Sequence, residues 1–216
     1  MKRVVIIGAG AHGREIIEIL RQAGRAEEVV LGFVDDDPNL HHQAIDGVSV
    51  LGDWTWFEGV DRNEVMVICG SGFSKTRKQM AERALGLGLT FTNAISPRAY
   101  ASPNSKIGEG VVMYPFSVAC RGSAICDHVA LNAGAIVSHD TRVGAYGTLN
   151  PGVNLAGNVS VGEGCYLGIG CSVIQGISIG SWTTVAAGAA VIRNLPAGVT
   201  AVGVPARVIG NNETSA

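Results

Sequence analysis

Residues 125–143 read ICDHVALNAGAIVSHDTRV, and in that stretch an aliphatic residue returns at every sixth place: Ile125, Leu131, Val137 and Val143. Carried in both directions the register holds without a failure through Ile95, Ala101, Ile107, Met113, Ala119, Ile125, Leu131, Val137, Val143, Leu149, Leu155, Val161, Leu167, Val173, Ile179, Val185 and Val191. Four places after each lead stands a residue that is nearly always small or β-branched, among them Ser117, Ala135, Thr141, Val153, Cys165, Cys171 and Thr183. With 47% of the chain hydrophobic, chance does not produce such a run. A helix of 3.6 residues per turn would sweep a six-residue period around all its faces, whereas short strands joined by tight corners return the same place inward each time. The place after the lead is often Gly, Ser, Asn or Ala, and glycine and asparagine supply the backbone angles that corners need.

Outside the repeats the composition changes. Residues 1–94 carry 23 Asp, Glu, Lys or Arg, and the next 102 carry nine, which marks a boundary near residue 94. The first part alternates strand and helix. Val4–Ile7 reads as a buried strand; Gly8-Ala9-Gly10-Ala11-His12-Gly13 turns into a helix with Ile16, Ile17, Ile19 and Leu20 on one side. Val29–Val34 and Val65–Cys69 read as further strands, ending at Asp35-Asp36-Asp37 and Gly70-Ser71-Gly72. Strand, helix, strand in that order predicts a small parallel sheet, the Rossmann-like half of an α/β fold, ahead of an all-β repeat domain.

Bulk properties narrow the function. A formal net charge of −2 gives no basic surface for a nucleic-acid backbone or an anionic membrane. The apolar run after Met1-Lys2-Arg3 is too short for a signal peptide or a membrane span, so a cytoplasmic location is expected. Five cysteines without a CxxC pair read as reduced structural thiols.

The repeats from 95 to 196 resemble those of the hexapeptide-repeat, left-handed parallel β-helix acyltransferases. Val202-Gly203-Val204-Pro205-Ala206-Arg207 resembles the segment that follows the last coil in those enzymes, and residues 1–94 resemble the nucleotide-sugar domain of the NeuD and PglD-like subgroup. The resemblance implies three hexads per triangular coil, so residues 18 apart stack on one another, and three domains of the chain: 1–94 for the nucleotide sugar, 95–196 for acetyl transfer, and 197–216 as a coenzyme A-contacting tail. It implies a homotrimer with active sites between subunits, acetyl-CoA as co-substrate, no metal, and N-acetylation of a nucleotide-linked amino sugar of the 4-amino-4,6-dideoxy type in bacterial glycan synthesis.

Few side chains in the repeats can take a proton from a nucleophile. His139 and Asp140 stand third and fourth in their hexad, between the inward Val137 and Thr141, and should project from a corner. The resemblance makes His139 the general base, with Asp140 stabilising the imidazolium it forms. One coil on, Gly157 should leave a ledge without a side chain, where a thioester can lie with its oxygen on an N–H of Ala156-Gly157; a glycine kept only for corner geometry is the plain alternative. Asn132 matches a frequent family asparagine, or is a corner residue stacked on Asn150. Thr148 stands where some members carry a second histidine, and is left a hydroxyl to donate. Gly157, Thr148, Ala187, Pro205 and Arg207 are the expected coenzyme A contacts, with Arg193 a further partner for its phosphates. Cys165 and Cys171 fall on inward places, which argues for direct attack without an acyl-enzyme.

Gly10, Ala11, His12 and Gly13 should hold the diphosphate at a helix N-terminus, with Asp35 and Asp36 on the base or ribose and Gly70 beside them. The spacing also satisfies a dinucleotide fingerprint, but about 94 residues give one mononucleotide half. His41, His42 and His128 read as surface residues. Two other readings stay open: O-acetylation of a sugar such as sialic acid, and a non-catalytic NAD-binding protein. A zinc anhydrase of the same fold would need three converging histidines, and His128 and His139, 11 apart, are off the stacking period.

Overall fold

The structure, a computed structural model, describes residues 3–24 and 30–212. Met1 and Lys2, and Val29 at the head of the expected second strand, lie outside them. The chain divides into two compact units, 1–96 and 97–216.

The first unit is built on strand β1 (Arg3–Ile7), whose Val4, Val5, Ile6 and Ile7 are essentially sealed from solvent. Helix α1 (Ala11–Gln22) follows, burying Ile16, Ile17, Ile19 and Leu20. Strands β2 (Val30–Val34), β3 (Ala44–Ile45), β4 (Val48–Gly52) and β5 (Val65–Cys69), helix α2 (Ser74–Gly86) and strand β6 (Thr90–Phe91) complete a sheet of order β3-β4-β2-β1-β5-β6. All neighbours run parallel except β3 against β4. The parallel sheet expected from strand, helix, strand is there, with β4, α2 and β6 added to it.

The second unit is the coiled prism. Each two-residue strand pairs in parallel with the strand 18 residues on: Val118↔Ile136↔Asn154↔Ser172↔Ala190 on one face, Ala124↔Arg142↔Ser160↔Ser178 on another, and Val112↔Ala130↔Thr148↔Tyr166↔Thr184 on the third. Every lead from Met113 to Val191 is at most 3% exposed. The inward hydroxyls satisfy themselves against backbone: Ser117 Oγ donates to Tyr114 O at 2.7 Å, and Thr183 Oγ1 to Pro196 O at 2.7 Å. Strand Val199–Val202 continues the third face beside Thr184–Val185, and Arg207–Asn211 pairs antiparallel with it, so the tail extends the prism.

From Gly110 to Gly188 every corner places its fourth hexad residue in the left-handed backbone region, whether glycine or not: Phe116, His128, Asp140, Tyr146, Asn158 and Trp182 all have φ between 56° and 64°. A planar side chain there lies down on the corner one coil earlier. His128 covers Gly110 and Trp182 covers Gly164, while Tyr146 stacks on His128 at 5.2 Å between ring centroids. That stacking corrects one expectation, since His128 is buried rather than on the surface.

Candidate active site

His139 and Asp140 sit on the corner between strands Ile136–Val137 and Arg142–Val143. Val137 and Thr141 beside them are buried, but the two polar side chains are 62% and 58% exposed. The left-handed backbone of Asp140, a conformation aspartate tolerates better than most residues, turns its carboxylate back on the ring, and Oδ2 lies 3.0 Å from His139 Nδ1. A carboxylate accepts hydrogen bonds, so this contact favours the tautomer with the proton on Nδ1, which in the neutral ring leaves the lone pair on Nε2.

The ring lies on Gly157, one coil on. A Cβ there would stand 2.5 Å from His139 Nε2, closer than real contacts allow. The ledge expected to be open for a thioester is therefore covered by the imidazole itself. Of the two amides in that segment, Ala156 N–H is used by the ladder, donating to Val173 O at 3.0 Å. Gly157 N–H has no acceptor among the described residues. At the same hexad place Glu109 N–H donates to Asp127 Oδ1 and Glu163 N–H to Ser181 Oγ, side chains one coil farther on. Third-place amides thus face outward along the edge, and the one at 157 stands next to the ring. Beneath the corner, Thr141 Oγ1 donates to Ala156 O at 2.8 Å and accepts from Val159 N–H at 3.1 Å, fixing both sides of Gly157-Asn158.

In the first unit the glycine loop follows β1. Ala9 N–H donates to Asp35 Oδ2 at 2.7 Å and Asp37 N–H to Asp35 Oδ1 at 2.9 Å, so both oxygens of Asp35 already brace the loop. Asp36 is left exposed, 3.4 Å from Arg83 Nη1. Gly10, Ala11, His12 and Gly13 begin α1, whose N-cap makes no side-chain bond. Gly13 and Gly70 are buried packing glycines: a Cβ on Gly13 would run into Gly8 O, and one on Gly70 would lie 2.5 Å from the same oxygen. Their lack of a side chain lets α1 close on the sheet and leaves only backbone groups for any contact with a substrate. Burial, reinforced by the Arg77 guanidinium, pushes the His12 pKa down to about 4, so that ring is neutral near pH 7.

Residues 3–84 match the family model described as the PglD N-terminal domain. The solved GDP-perosamine N-acetyltransferase of Caulobacter crescentus, a histidine-to-alanine variant in complex with CoA and GDP-perosamine, is 39% identical, covers 98% of each chain, and superposes with a TM-score of 0.91. The chain belongs to the PglD-like left-handed β-helix acetyltransferases. The acetyltransferase domain of PglB from Neisseria gonorrhoeae FA1090, solved with acetyl coenzyme A, is 30% identical over 96% of this chain and 99% of that one, TM-score 0.88. GDP-perosamine N-acetyltransferase of Escherichia coli O157:H7 is 29% identical over 144 residues, 65% of this chain and 64% of its own length. The chain spans less than two thirds of the length of the curated relatives it matches.

Set against what membership of this family implied, several residues fall elsewhere in the prism. Asn132 is on a different corner from His139, and its Nδ2 donates to Leu149 O at 3.0 Å, as Asn150 Nδ2 does to Leu167 O at 2.7 Å. Within one chain it is a rung in an asparagine ladder, on a different edge from the base. Thr148 is 2% exposed and lies on the third face, away from the His139 corner. Ala187 is exposed on the corner that Asn132's strand enters, with Pro205 and Arg207 exposed beyond it. Arg193 is exposed at the same hexad place as His139, three coils on. Cys165 and Cys171 are fully buried, and desolvation raises their pKa to about 11 and about 12. Arg77, 1% exposed, donates from Nη1 to Ser71 O at 2.8 Å and so pins the loop after β5; a lysine-and-arginine-rich helix start gave no sign of it.

Proposed function

We propose that this chain is an acetyl-CoA-dependent N-acetyltransferase acting on a nucleotide-linked amino sugar, of the 4-amino-4,6-dideoxy type. The observation that carries the reading is the His139–Asp140 pair, exposed on a prism corner and resting on Gly157. Asp140 holds Nδ1–H, and Nε2 removes the proton from the sugar amine as nitrogen attacks the thioester carbonyl. The outward N–H of Gly157 receives the oxygen on which negative charge develops. Transfer is direct, since the thiols of Cys165 and Cys171 are sealed and held protonated. As the carbon–sulfur bond breaks, the imidazolium returns the proton taken from the amine to the departing sulfur, so coenzyme A is released as the thiol and the base is restored.

The nucleotide belongs to the first unit, with its diphosphate at the N–H groups of Gly10, Ala11 and His12 and its base or ribose at Asp36. Arg193, Ala187, Pro205 and Arg207 are the candidates for coenzyme A. The Caulobacter relative, captured with CoA and its nucleotide sugar in a variant lacking one histidine, supports a histidine needed for turnover rather than for binding. Active sites lie between the subunits of a homotrimer, and the five free cysteines suit a cytoplasmic enzyme.

Thiol release from acetyl-CoA, measured against UDP-, GDP- and dTDP-linked 4-amino sugars and free sialic acid, should show turnover with one nucleotide amino sugar. His139→Ala should lower kcat by about 10² to 10⁴ while both substrates still bind. Turnover of sialic acid alone, or a fully active His139→Ala, would remove the reading.

A further inference from the structure

The catalytic carboxylate is seated from below as well as from beside. Asp140 uses Oδ2 to hold the His139 ring, and its other oxygen, Oδ1, lies on Gly122, one coil earlier. A Cβ on Gly122 would overlap Oδ1 and stand 3.3 Å from Asp140 Cγ. We propose that Gly122 is a positioning residue for the reaction: its bare corner lets the Asp140 carboxylate lie flat, the one orientation from which Oδ2 reaches His139 Nδ1. The inference rests on the acetyltransferase reading for its kinetics but not for its geometry.

Backbone strain alone does not account for a glycine here. Gly122 has φ of 74°, yet Phe116, His128, Tyr146, Asn158 and Trp182 occupy the same hexad place at φ near 60°. What singles out Gly122 is the group above it. His128 over Gly110 and Trp182 over Gly164 follow the same rule: a planar side chain at the fourth place lies down where the coil beneath has no Cβ, or on a flat ring, as Tyr146 does on His128. The atom that would collide at 122 is the tip of a short side chain, free to swing toward solvent. A methyl group there therefore displaces Asp140 rather than the fold, and the consequence falls on His139. Gly157 bounds the pair on the other side in the same way, so ring and carboxylate are laid between two side-chain-free corners, one a coil earlier and the other a coil later.

Gly134 supplies the control. It has φ of 67° at the same hexad place on another corner, and its nearest neighbour to an added Cβ is Gly152 N at 4.0 Å. Gly134→Ala and Gly122→Ala thus carry the same left-handed strain with different surroundings. We expect the two to lose similar amounts of stability. Gly122→Ala should in addition lower kcat about tenfold or more, with both KM values little changed, and Asp140→Asn should do the same. The double variant should be no slower than the slower single one, because both substitutions break one contact. Multiplied losses in the double variant would mean that Gly122 acts elsewhere, and would overturn the proposal. The ring itself gives a second readout that needs no turnover: ¹⁵N–¹H spectra of the histidine ring, assigned with His139→Gln, should show a protected Nδ1–H in the parent chain and in Gly134→Ala, and lose it in Gly122→Ala. A protected Nδ1–H in Gly122→Ala would also overturn it. If the parent chain shows that signal but transfers no acetyl group, the activity reading has failed while the geometric one stands.

Discussion

His12 reaches the start of α1 as the glycine spacing predicts, and burial decides the charge it carries there. Burial and the Arg77 guanidinium push its pKa from 6.5 to about 4. In the proposed nucleotide site the diphosphate is therefore left to backbone N–H groups and not to an imidazolium. The shift also fixes a dependence on pH. In the unfolded chain the ring takes up a proton as pH falls through 6.5, whereas in the folded chain it stays neutral down to about 4, so stability is whole above 6.5 and is lost across that window. Between pH 7 and pH 5 this one group should remove about 2 kcal/mol. Denaturant titrations of the parent chain and His12→Asn at both pH values should show the fall shrinking by that amount in the variant. The buried thiols make a parallel case: Cys165 and Cys171 should stay unmodified by an aromatic disulfide reagent in the native protein, and react once it is unfolded.

At the scale of a hexad, the side chains at the lead and fifth places report their own environment, and for this reason the prism was legible in the sequence. An inward place admits only what packs in the core, so Leu131, Val137 and Leu149 declare themselves by period alone. Outward places carry no such signature. Whether His128 is solvated or stacked depends on what stands 18 residues away, and Gly110 beneath it decides the matter. The same blindness covers Asn132, whose amide is taken up by Leu149 O, and Asp35, whose oxygens brace Ala9 and Asp37. The corner of His139 was legible, but the ring's rest on Gly157 was not, because the period fixes stacking order without fixing which group lies down. Thr141 is the element that joins these levels. Its hydroxyl links Ala156 O and Val159 N–H across two coils directly under the site. Thr141→Val keeps the shape and removes both bonds, leaving a buried carbonyl and amide unmet; it should cost about 1–3 kcal/mol. Chemical denaturation measures that cost, and hydrogen exchange should quicken at Val159 before it does in neighbouring coils.

For the whole molecule, the faces of the prism set what one chain can assemble alone. His139 stands on one corner, whereas Thr148 lies on the third face and Asn132 and Ala187 on another corner. A three-sided coil returns to the same edge only every 18 residues, so residues 7 before and 9 after the base cannot reach that edge in the same chain. If those places serve the reaction, they do so from a second copy, and closed rotation of one chain about an axis supplies the arrangement. This view makes activity a property of the assembly. Light scattering should give a particle of three times 22.3 kDa, in the parent chain and in His139→Ala alike. Turnover per chain should fall on dilution in step with loss of that particle, since each dissociating copy removes one wall of a site. Constant turnover per chain through dissociation to monomers would place the whole site within one prism, and Thr148 and Asn132 would then have only the structural roles that burial and hydrogen bonding describe.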